Sequence, residues 1–288
     1  MSQAKFLSQK VQHKNILVVG TARDCSKTID KAISVIQRAL IDFNNVSFFI
    51  VESDSNDDTV KKLYGLADRV KNFSFISLGI LNEKMPTRTE RIAFCRNKYL
   101  DFIYTSSQKY DYVLVTDLDG VSRKLNRQAI LSCWIRDDWA ACFANQTGPY
   151  YDIWALRHPE LSPTNCWEEY KSLIALGKKP YFARRKAIYS KMLRIDRNSN
   201  WIEVDSAFGG LGIYNASILE SSWYTNTDEF GFEASEHVSF NNSIRSKNGK
   251  LFINPALING SWNEHSRGLR KTSQILSFGK FLYSFILK

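Results

Sequence analysis

The stretch Asp111-Tyr-Val-Leu-Val-Thr-Asp-Leu-Asp-Gly-Val121 decides the reading of this chain. Tyr112 to Val115 is a short apolar, β-branched run of the kind buried on both faces of a sheet. It ends in two carboxylates spaced i, i+2, Asp117 and Asp119, with Gly120 directly after them. A strand end that releases two acids into a turn can aim both at one point. Clustered hard oxygens there suit Mg²⁺ or Mn²⁺ that also touches a phosphate. The plain alternative is an Asp-rich turn that only stops a strand, and D-x-D alone does not separate the two.

What precedes this strand has the same character. Asn15 to Gly20 (NILVVG) is a buried-strand run, followed by Thr21-Ala-Arg-Asp24 and a helix capped by Ser26. Ile29, Ala32, Ile33, Ile36, Ala39 and Leu40 keep helical spacing along it. Val46 to Glu52 (VSFFIVE) is another buried run and breaks into Ser53-Asp-Ser-Asn-Asp-Asp58. The pattern then predicts a helix from Asp58 to Arg69, a strand from Phe73 to Leu78, and a longer helix capped by Thr89 and running through Tyr104. This β-α-β-α-β-α-β alternation yields a parallel sheet with helices on both faces. In such sheets ligands collect beyond the carboxyl ends of the strands. Arg23, Glu52, Asp54, Asp117 and Asp119 all fall at such ends.

Together these residues resemble the GT-A glycosyltransferases, nucleotide-sugar-dependent enzymes with a D-x-D metal motif. The resemblance covers Asn15 to Asn145, and Trp201 to Gly260 more loosely; VVGTARD, FFIVESDSNDDT and VTDLDG carry it. It implies an α/β fold with a Rossmann-like, mixed but mostly parallel central sheet. It also implies a nucleoside-diphosphate sugar as donor, with Mn²⁺ or Mg²⁺ as cofactor. By position, Ala22 and Arg23 would line the nucleotide, and Glu52 and Asp54 would contact base and ribose edges. Asp117 would face the sugar or ribose, and Asp119 would bind the metal. Glu90-Arg-Ile-Ala-Phe-Cys-Arg-Asn97 resembles the family's helix near the diphosphate, which brings in Arg91, Arg96 and Asn97. No Walker-type loop is present and no G-x-G-x-x-G follows the first strand, which argues against a P-loop NTPase and a dinucleotide oxidoreductase.

The second half is expected to hold the acceptor. Asn145 to Trp154 (NQTGPYYDIW) follows a strand at Ala140 to Ala144 and gathers Tyr151, Asp152 and Trp154 in one loop. Sugar C–H faces stack on aromatic rings while the hydroxyls need polar partners; the same aromatics equally suit the core of a long loop. His158, ahead of Pro159, reads as a surface or packing residue. Ala207 to Tyr214 (AFGGLGIY) is a glycine-rich strand, and interior glycines mark close backbone or ligand approach. By the resemblance, Gly209 and Gly210 would lie beneath the donor sugar. Glu233-Ala-Ser-Glu-His237 opens a helix running to Ser246 and closing at Gly249. With Ser235 as N-cap, Glu236 suits the helix dipole. It also suits an inverting transfer, where a carboxylate takes the acceptor hydroxyl's proton. Asp228, Glu229 and Glu233 are its rivals. The resemblance further implies a late histidine completing the metal site beyond the last core strand, expected at Leu251 to Asn254. His265 has that place, with His237 as the alternative.

With 44% hydrophobic and 24% charged residues, the composition is that of a globular protein. The layout expected is an N-terminal extension (1–14), a nucleotide-sugar half (15–145) and an acceptor half (146–266) of one domain, then a basic, amphipathic helix (267–288). No apolar leader or membrane-spanning run is read, and five scattered cysteines without C-x-x-C spacing read as reduced thiols. The expected location is therefore the cytoplasm, with peripheral contact at the inner face of a membrane. The net charge of +10 and pI near 9.3 favour an anionic membrane or acceptor. Basic residues are dispersed among acids without a recognised motif, so nucleic acid is not expected. Lys178 to Lys186 is the densest basic run, read either as a solvated loop or as a phosphate- or membrane-facing one. Ile275, Leu276, Phe278, Phe281, Leu282, Phe285 and Ile286 share one helical face after Arg267, Arg270 and Lys271. That suits either an interfacial anchor or a helix docked on the core. The activity expected is metal-dependent transfer of a sugar to a glycan or lipid-linked glycan in surface-polysaccharide synthesis. A sugar nucleotidyltransferase and a non-catalytic nucleotide- or glycan-binding protein are the alternatives.

Overall fold

Four apolar runs in the first half form β1 (Asn15–Ala22), β2 (Asn45–Glu52), β3 (Phe73–Ser77) and β4 (Tyr112–Thr116), all paired in parallel. The computed structural model describes residues 3–266 and residue 269. The amphipathic helix expected at 267–288 therefore lies outside the described residues. The second half contributes β5 (Ala141–Gln146), β6 (Ile202–Glu203), β7 (Leu211–Asn215) and β8 (Leu251–Gly260). One eight-stranded sheet results, in the order β3-β2-β1-β4-β7-β5-β8-β6. β7 runs antiparallel to both β4 and β5, β6 runs antiparallel to β8, and β5 and β8 are parallel. The sheet is mixed and mostly parallel, as expected.

Because strand side chains alternate, the sheet feeds two cores. Ile16, Val18, Ile50, Leu114 and Ile213 pack on one face against α1 (Gln3–Val11), α2 (Ile29–Ala39), α3 (Thr59–Arg69) and α5 (Arg127–Leu131). Leu17, Val19, Phe49, Val51 and Val115 pack on the other. There they meet α4 (Arg88–Thr105), α6 (Cys166–Ala175), α7 (Pro180–Ala187) and α8 (Glu236–Arg245). Each such buried side chain contributes about 1.5–3 kcal/mol. α1, inside the segment read as an extension, buries Leu7 and Val11 in the first core.

Several local expectations differ from the structure. The N-cap of α2 is Thr28, while the Ser26 hydroxyl donates to Asp57 at 2.7 Å. Thr87 caps α4, and the Thr89 hydroxyl instead donates to Glu233 at 2.7 Å. The basic run is helix α7 rather than a loop, with Pro180 in the first turn, where its missing N–H is harmless. Gly209 and Gly210 are not inside a strand. They form a left-handed turn (φ +67° and +81°) just ahead of β7. All five cysteines are free and buried. Among the described residues, no helix is long and apolar enough to cross a membrane.

Candidate active site

Register aligns the carboxyl ends of the parallel strands: Ala22 pairs with Glu52, and Val19 with Val115. A cleft of about 1200 Å³ opens there. Ala22, Arg23, Asp54, Asp117 and Asp119 line it from the strand ends, and Arg91 and Arg96 from α4. Tyr151, Asp152, Trp154, Glu236 and His265 line it from the second half. The structure thus brings most of the sequence-predicted residues to one place.

The turn after β4 is built against the glycine pair. The amide of Asp117 donates to the Gly210 carbonyl at 3.0 Å, and the Thr116 hydroxyl to the same oxygen at 3.2 Å. Asp119 accepts from the amide of Val121 at 3.0 Å, across Gly120 at φ +95°. A Cβ on Gly210 would lie 2.7 Å from the Tyr151 hydroxyl and 2.8 Å from Val121. The Gly209 amide donates to Asp152 at 3.0 Å. Gly209 and Gly210 therefore back the acidic constellation and do not line the cleft.

Arg96 sits at its centre. The side chain is buried; Nε donates to Glu236 Oε1 at 2.8 Å, Nη2 to Asp117 Oδ1 at 3.4 Å, and Nη1 to the Tyr99 hydroxyl at 3.2 Å. Its guanidinium lies 5.2 Å from the Phe208 ring centroid and 5.7 Å from that of Tyr224. One cation thus joins the D-x-D turn to the first turn of α8. The Asp117 carboxyl is pushed up to about 7. Burial drives this, the Arg96 charge opposes it, and the charges of Asp119, Asp152 and Glu236 add to it. Burial likewise raises Asp152, against hydrogen bonds from the Gly209 and Ala155 amides.

Asp54 and Arg91 form another wall. Asp54, at φ +57°, accepts from the amides of Leu81 and Asn82 at 2.8 and 2.9 Å. Burial opposes its ionisation, but these bonds, Ser53 and the Arg91 charge together lower its pKa. Arg91 Nη1 donates to the carbonyls of Met85 and Pro86 at 2.6 and 2.9 Å, tying down the β3–α4 connection.

Two sequence expectations are corrected. Glu52 does not line the cleft: its carboxylate is consumed by the amide of Ser55 and the hydroxyl of Ser77, which shape the turn presenting Asp54. Asn97 does not line it either. It clamps the backbone of Tyr224 with two bonds of 2.8 and 2.9 Å. Arg88, Arg91, Ile92, Cys95 and Arg96 share the cleft-facing side of α4, and Asn97 lies about 100° round from Arg96. Among the rivals of Glu236, Asp228 caps its own turn through the amides of Phe230 and Phe232, and neither it nor Glu229 lines the cleft. Glu233 does.

His265 is exposed and stacks on Tyr151, with centroids 5.6 Å apart and planes at 15°. His237 is buried, stacked on Phe208 at 3.7 Å, with Nε2 3.6 Å from Glu236 Oε1 and neither ring nitrogen hydrogen-bonded. Burial, then the Arg96 charge, lowers its pKa far below the usual value, so it is neutral. Trp154 Nε1, in the same cleft, is also buried without a partner. Sequence reading missed the wall formed by Trp167, Lys171, Arg184 and Tyr189, although alternating aromatic and basic residues mark that segment.

A divalent ion fits these residues in a particular way. Asp119 is exposed to the cleft and pairs with no cation among the described residues. Among the described residues, no group of three or more His, Cys, Asp or Glu converges as a metal site. The protein can therefore supply one or two ligands, leaving the others to substrate oxygens and water. That is the habit of Mg²⁺ and Mn²⁺ at diphosphates.

No family model matches the chain, and no curated protein matches it. Solved structures do. Residues 1–349 of S. aureus TarS in complex with UDP-GlcNAc match with TM-score 0.52 and 13% identity, over 93% of this chain and 64% of that one. The mannosyltransferase PcManGT from Pyrobaculum calidifontis, with GDP-Man and Mn²⁺, matches with TM-score 0.49 and 12% identity, over 99% and 74%. Glucosyl-3-phosphoglycerate synthase from Mycobacterium tuberculosis, with Mn²⁺, UDP and phosphoglyceric acid, matches with TM-score 0.45 and 12% identity, over 91% and 72%. The chain spans 57% to 64% of the TarS 1–349 chains it matches. The TarS match, joined to the sheet order and the position of the cleft, establishes that the chain has a GT-A fold.

Proposed function

We propose that this protein is a metal-dependent glycosyltransferase, moving a sugar from a nucleoside-diphosphate donor to a glycan or lipid-linked glycan. The observation that carries the reading is Arg96 bridging Asp117 and Glu236 in a cleft beyond the parallel strand ends. Ala22, Arg23 and Asp54 are offered for the nucleotide, and Tyr151, Asp152 and Trp154 for the acceptor. The domain divides accordingly into a nucleotide-sugar half (15–145) and an acceptor half (146–266). Asp119 and His265 would hold Mg²⁺ or Mn²⁺. Bound there, the ion would neutralise the leaving diphosphate as a Lewis acid.

The chain's own residues do the rest. Asp117 and Asp152 orient sugar hydroxyls, and the Tyr151–His265 stack offers a flat face to a sugar ring. Arg96 fixes Oε1 of Glu236. Glu236 takes the acceptor hydroxyl's proton while that oxygen bonds to the anomeric carbon. The anomeric C–O bond to the donor phosphate breaks, and its electron pair leaves with the nucleoside diphosphate. His237, neutral and 3.6 Å from Glu236, packs beside the same carboxylate without a hydrogen bond to it. Asp117 is the second reading for the base, favoured by its pKa of about 7.

The test is a panel of nucleotide sugars assayed for nucleoside-diphosphate release with and without Mn²⁺ or Mg²⁺. Metal-dependent release, increased by a glycan acceptor, is expected. Pyrophosphate release from a nucleoside triphosphate plus sugar phosphate would instead identify a nucleotidyltransferase, and binding without turnover a carrier. Where the protein works belongs to the same reading: the cytoplasmic face of a membrane, with the segment 267–288 as a peripheral anchor to anionic lipid.

A further inference from the structure

Helices α6 and α7 wall the cleft with Trp167, Lys171, Arg184 and Ile188. Away from the cleft their surface has another character. Leu176 is 74% exposed, Tyr181 63% and Phe182 50%, all at the connection between the two helices or just past it. From Leu176 to Ala187 the chain carries five cations, Lys178, Lys179, Arg184, Arg185 and Lys186, and no acid. Only Ala183 and Ala187 of α7 are buried. The helix thus rests on the core through two small residues, and Pro180 fixes the turn that presents Tyr181 and Phe182.

Large apolar side chains exposed side by side mark an interaction surface. Interleaved with cations, they match the lipid–water interface of an anionic bilayer. Rings bury to the depth of the headgroups there, while lysine stems lie along the apolar surface and keep their ammonium groups at the phosphates. A soluble polyanion would call for the cations but not for Leu176, Tyr181 and Phe182. We propose that the α6–α7 tip docks on anionic lipid and so places the mouth of the cleft at the bilayer surface. The inference deepens the membrane part of the reading above, naming a surface apart from the segment 267–288. It does not depend on the sugar chemistry.

The experiment is co-sedimentation of the full chain with phosphatidylglycerol-containing and pure phosphatidylcholine vesicles at low salt. Two variants are compared with the wild type: Lys178→Gln with Lys179→Gln, and Tyr181→Ser with Phe182→Ser. None of these residues lines the cleft, so nucleoside-diphosphate release from a soluble donor is expected to hold in both. At about fivefold per cation, the first variant should partition roughly 30-fold less onto anionic vesicles. The second should lose about tenfold or more from apolar burial. Hydrogen exchange on the wild type gives an independent measure: peptides spanning 174–187 should gain protection on anionic vesicles only. Wild-type-like binding by both variants would overturn the assignment, as would a wild type that ignores anionic vesicles. A loss on the lysine changes alone would indicate a soluble polyanion and overturn the bilayer assignment as well. Intact vesicle binding without turnover of any donor would leave this inference standing and sink the glycosyltransferase reading.

Discussion

Replacing Arg96 by Met tests whether the cleft is organised around one buried cation. The guanidinium is tied to Glu236 at 2.8 Å, to Asp117 at 3.4 Å and to Tyr99 at 3.2 Å, and lies over two rings. Removing one partner of a buried pair strands the other charge and typically costs about 3–5 kcal/mol. Against a domain stability of about 5–15 kcal/mol, Arg96→Met should fold but melt early. Urea unfolding at pH 8 measures the loss.

The pH dependence separates electrostatics from lost packing. Burial pushes Asp117 up to about 7 in the folded protein, from an ordinary carboxyl value of 3.8. The folded state therefore binds the extra proton between those values, and this group makes stability fall as pH rises through that window. Arg96 opposes the upward shift, so its removal steepens the fall. The loss should be largest above pH 7 and smaller near pH 5. Adding Glu236→Gln to Arg96→Met should recover part of it, because a neutral amide no longer strands a charge. A loss below about 1 kcal/mol at pH 8, or the same loss at pH 5, would refute the reasoning; the threshold is that of an exposed pair.

Asp119→Ala should abolish metal-dependent donor turnover while circular dichroism and melting stay unchanged, since the carboxylate faces the cleft. Near wild-type turnover at saturating Mn²⁺ would remove Asp119 from the metal. Glu236→Gln should lower turnover about 10²-fold or more with donor affinity held; the same fall on Asp117→Asn, and none at Glu236, would transfer the role. Calorimetric titration with Mn²⁺ and nucleoside diphosphate should tighten from pH 6 to pH 8 and release protons below pH 7, because Asp117 at about 7 must ionise beside the ion. An affinity flat across that range would count against it. Gly210→Ala should lower stability and donor turnover together, since its Cβ meets the Tyr151 hydroxyl and Val121 in a left-handed conformation. An unchanged melting temperature would show that the turn yields.

The first half of the fold was legible because it is written in local patterns. NILVVG, VSFFIVE and YVLVT are runs too apolar for an edge or a loop, and each is a parallel strand. What followed Asn145 was less legible. The wall made by α6 and α7 carries aromatic and basic residues without clear apolar periodicity, because Leu176, Tyr181 and Phe182 on its outer side are exposed among the described residues. Glu52 and Asn97 were misplaced for a related reason. Position along the chain brings a residue near a cleft, but side-chain direction decides whether it enters. Glu52 is turned into the Ser55–Ser77 turn, and Asn97 onto the Tyr224 backbone. The Arg96 bridge joins groups 140 residues apart in the chain, which no spacing within either segment announces.

That bridge bears on how charge is balanced in the cleft. Asp117, Asp119, Asp152 and Glu236 all line one cleft, and Arg96 contacts two of them. Asp117 is pushed to about 7 partly by the other three carboxylates. A diphosphate entering the cleft meets four carboxylates around one buried arginine at this end, with Arg23, Arg91, Lys171 and Arg184 on the surrounding walls. Arg96 already spends three of its five N–H groups on Glu236, Asp117 and Tyr99. On the proposed reading, a divalent ion would add positive charge at this acid end, where Asp119 and Asp152 have no ion-pair partner among the described residues. On that reading the arginine organises the acids, and the ion would offset the charge that the arginine leaves unbalanced.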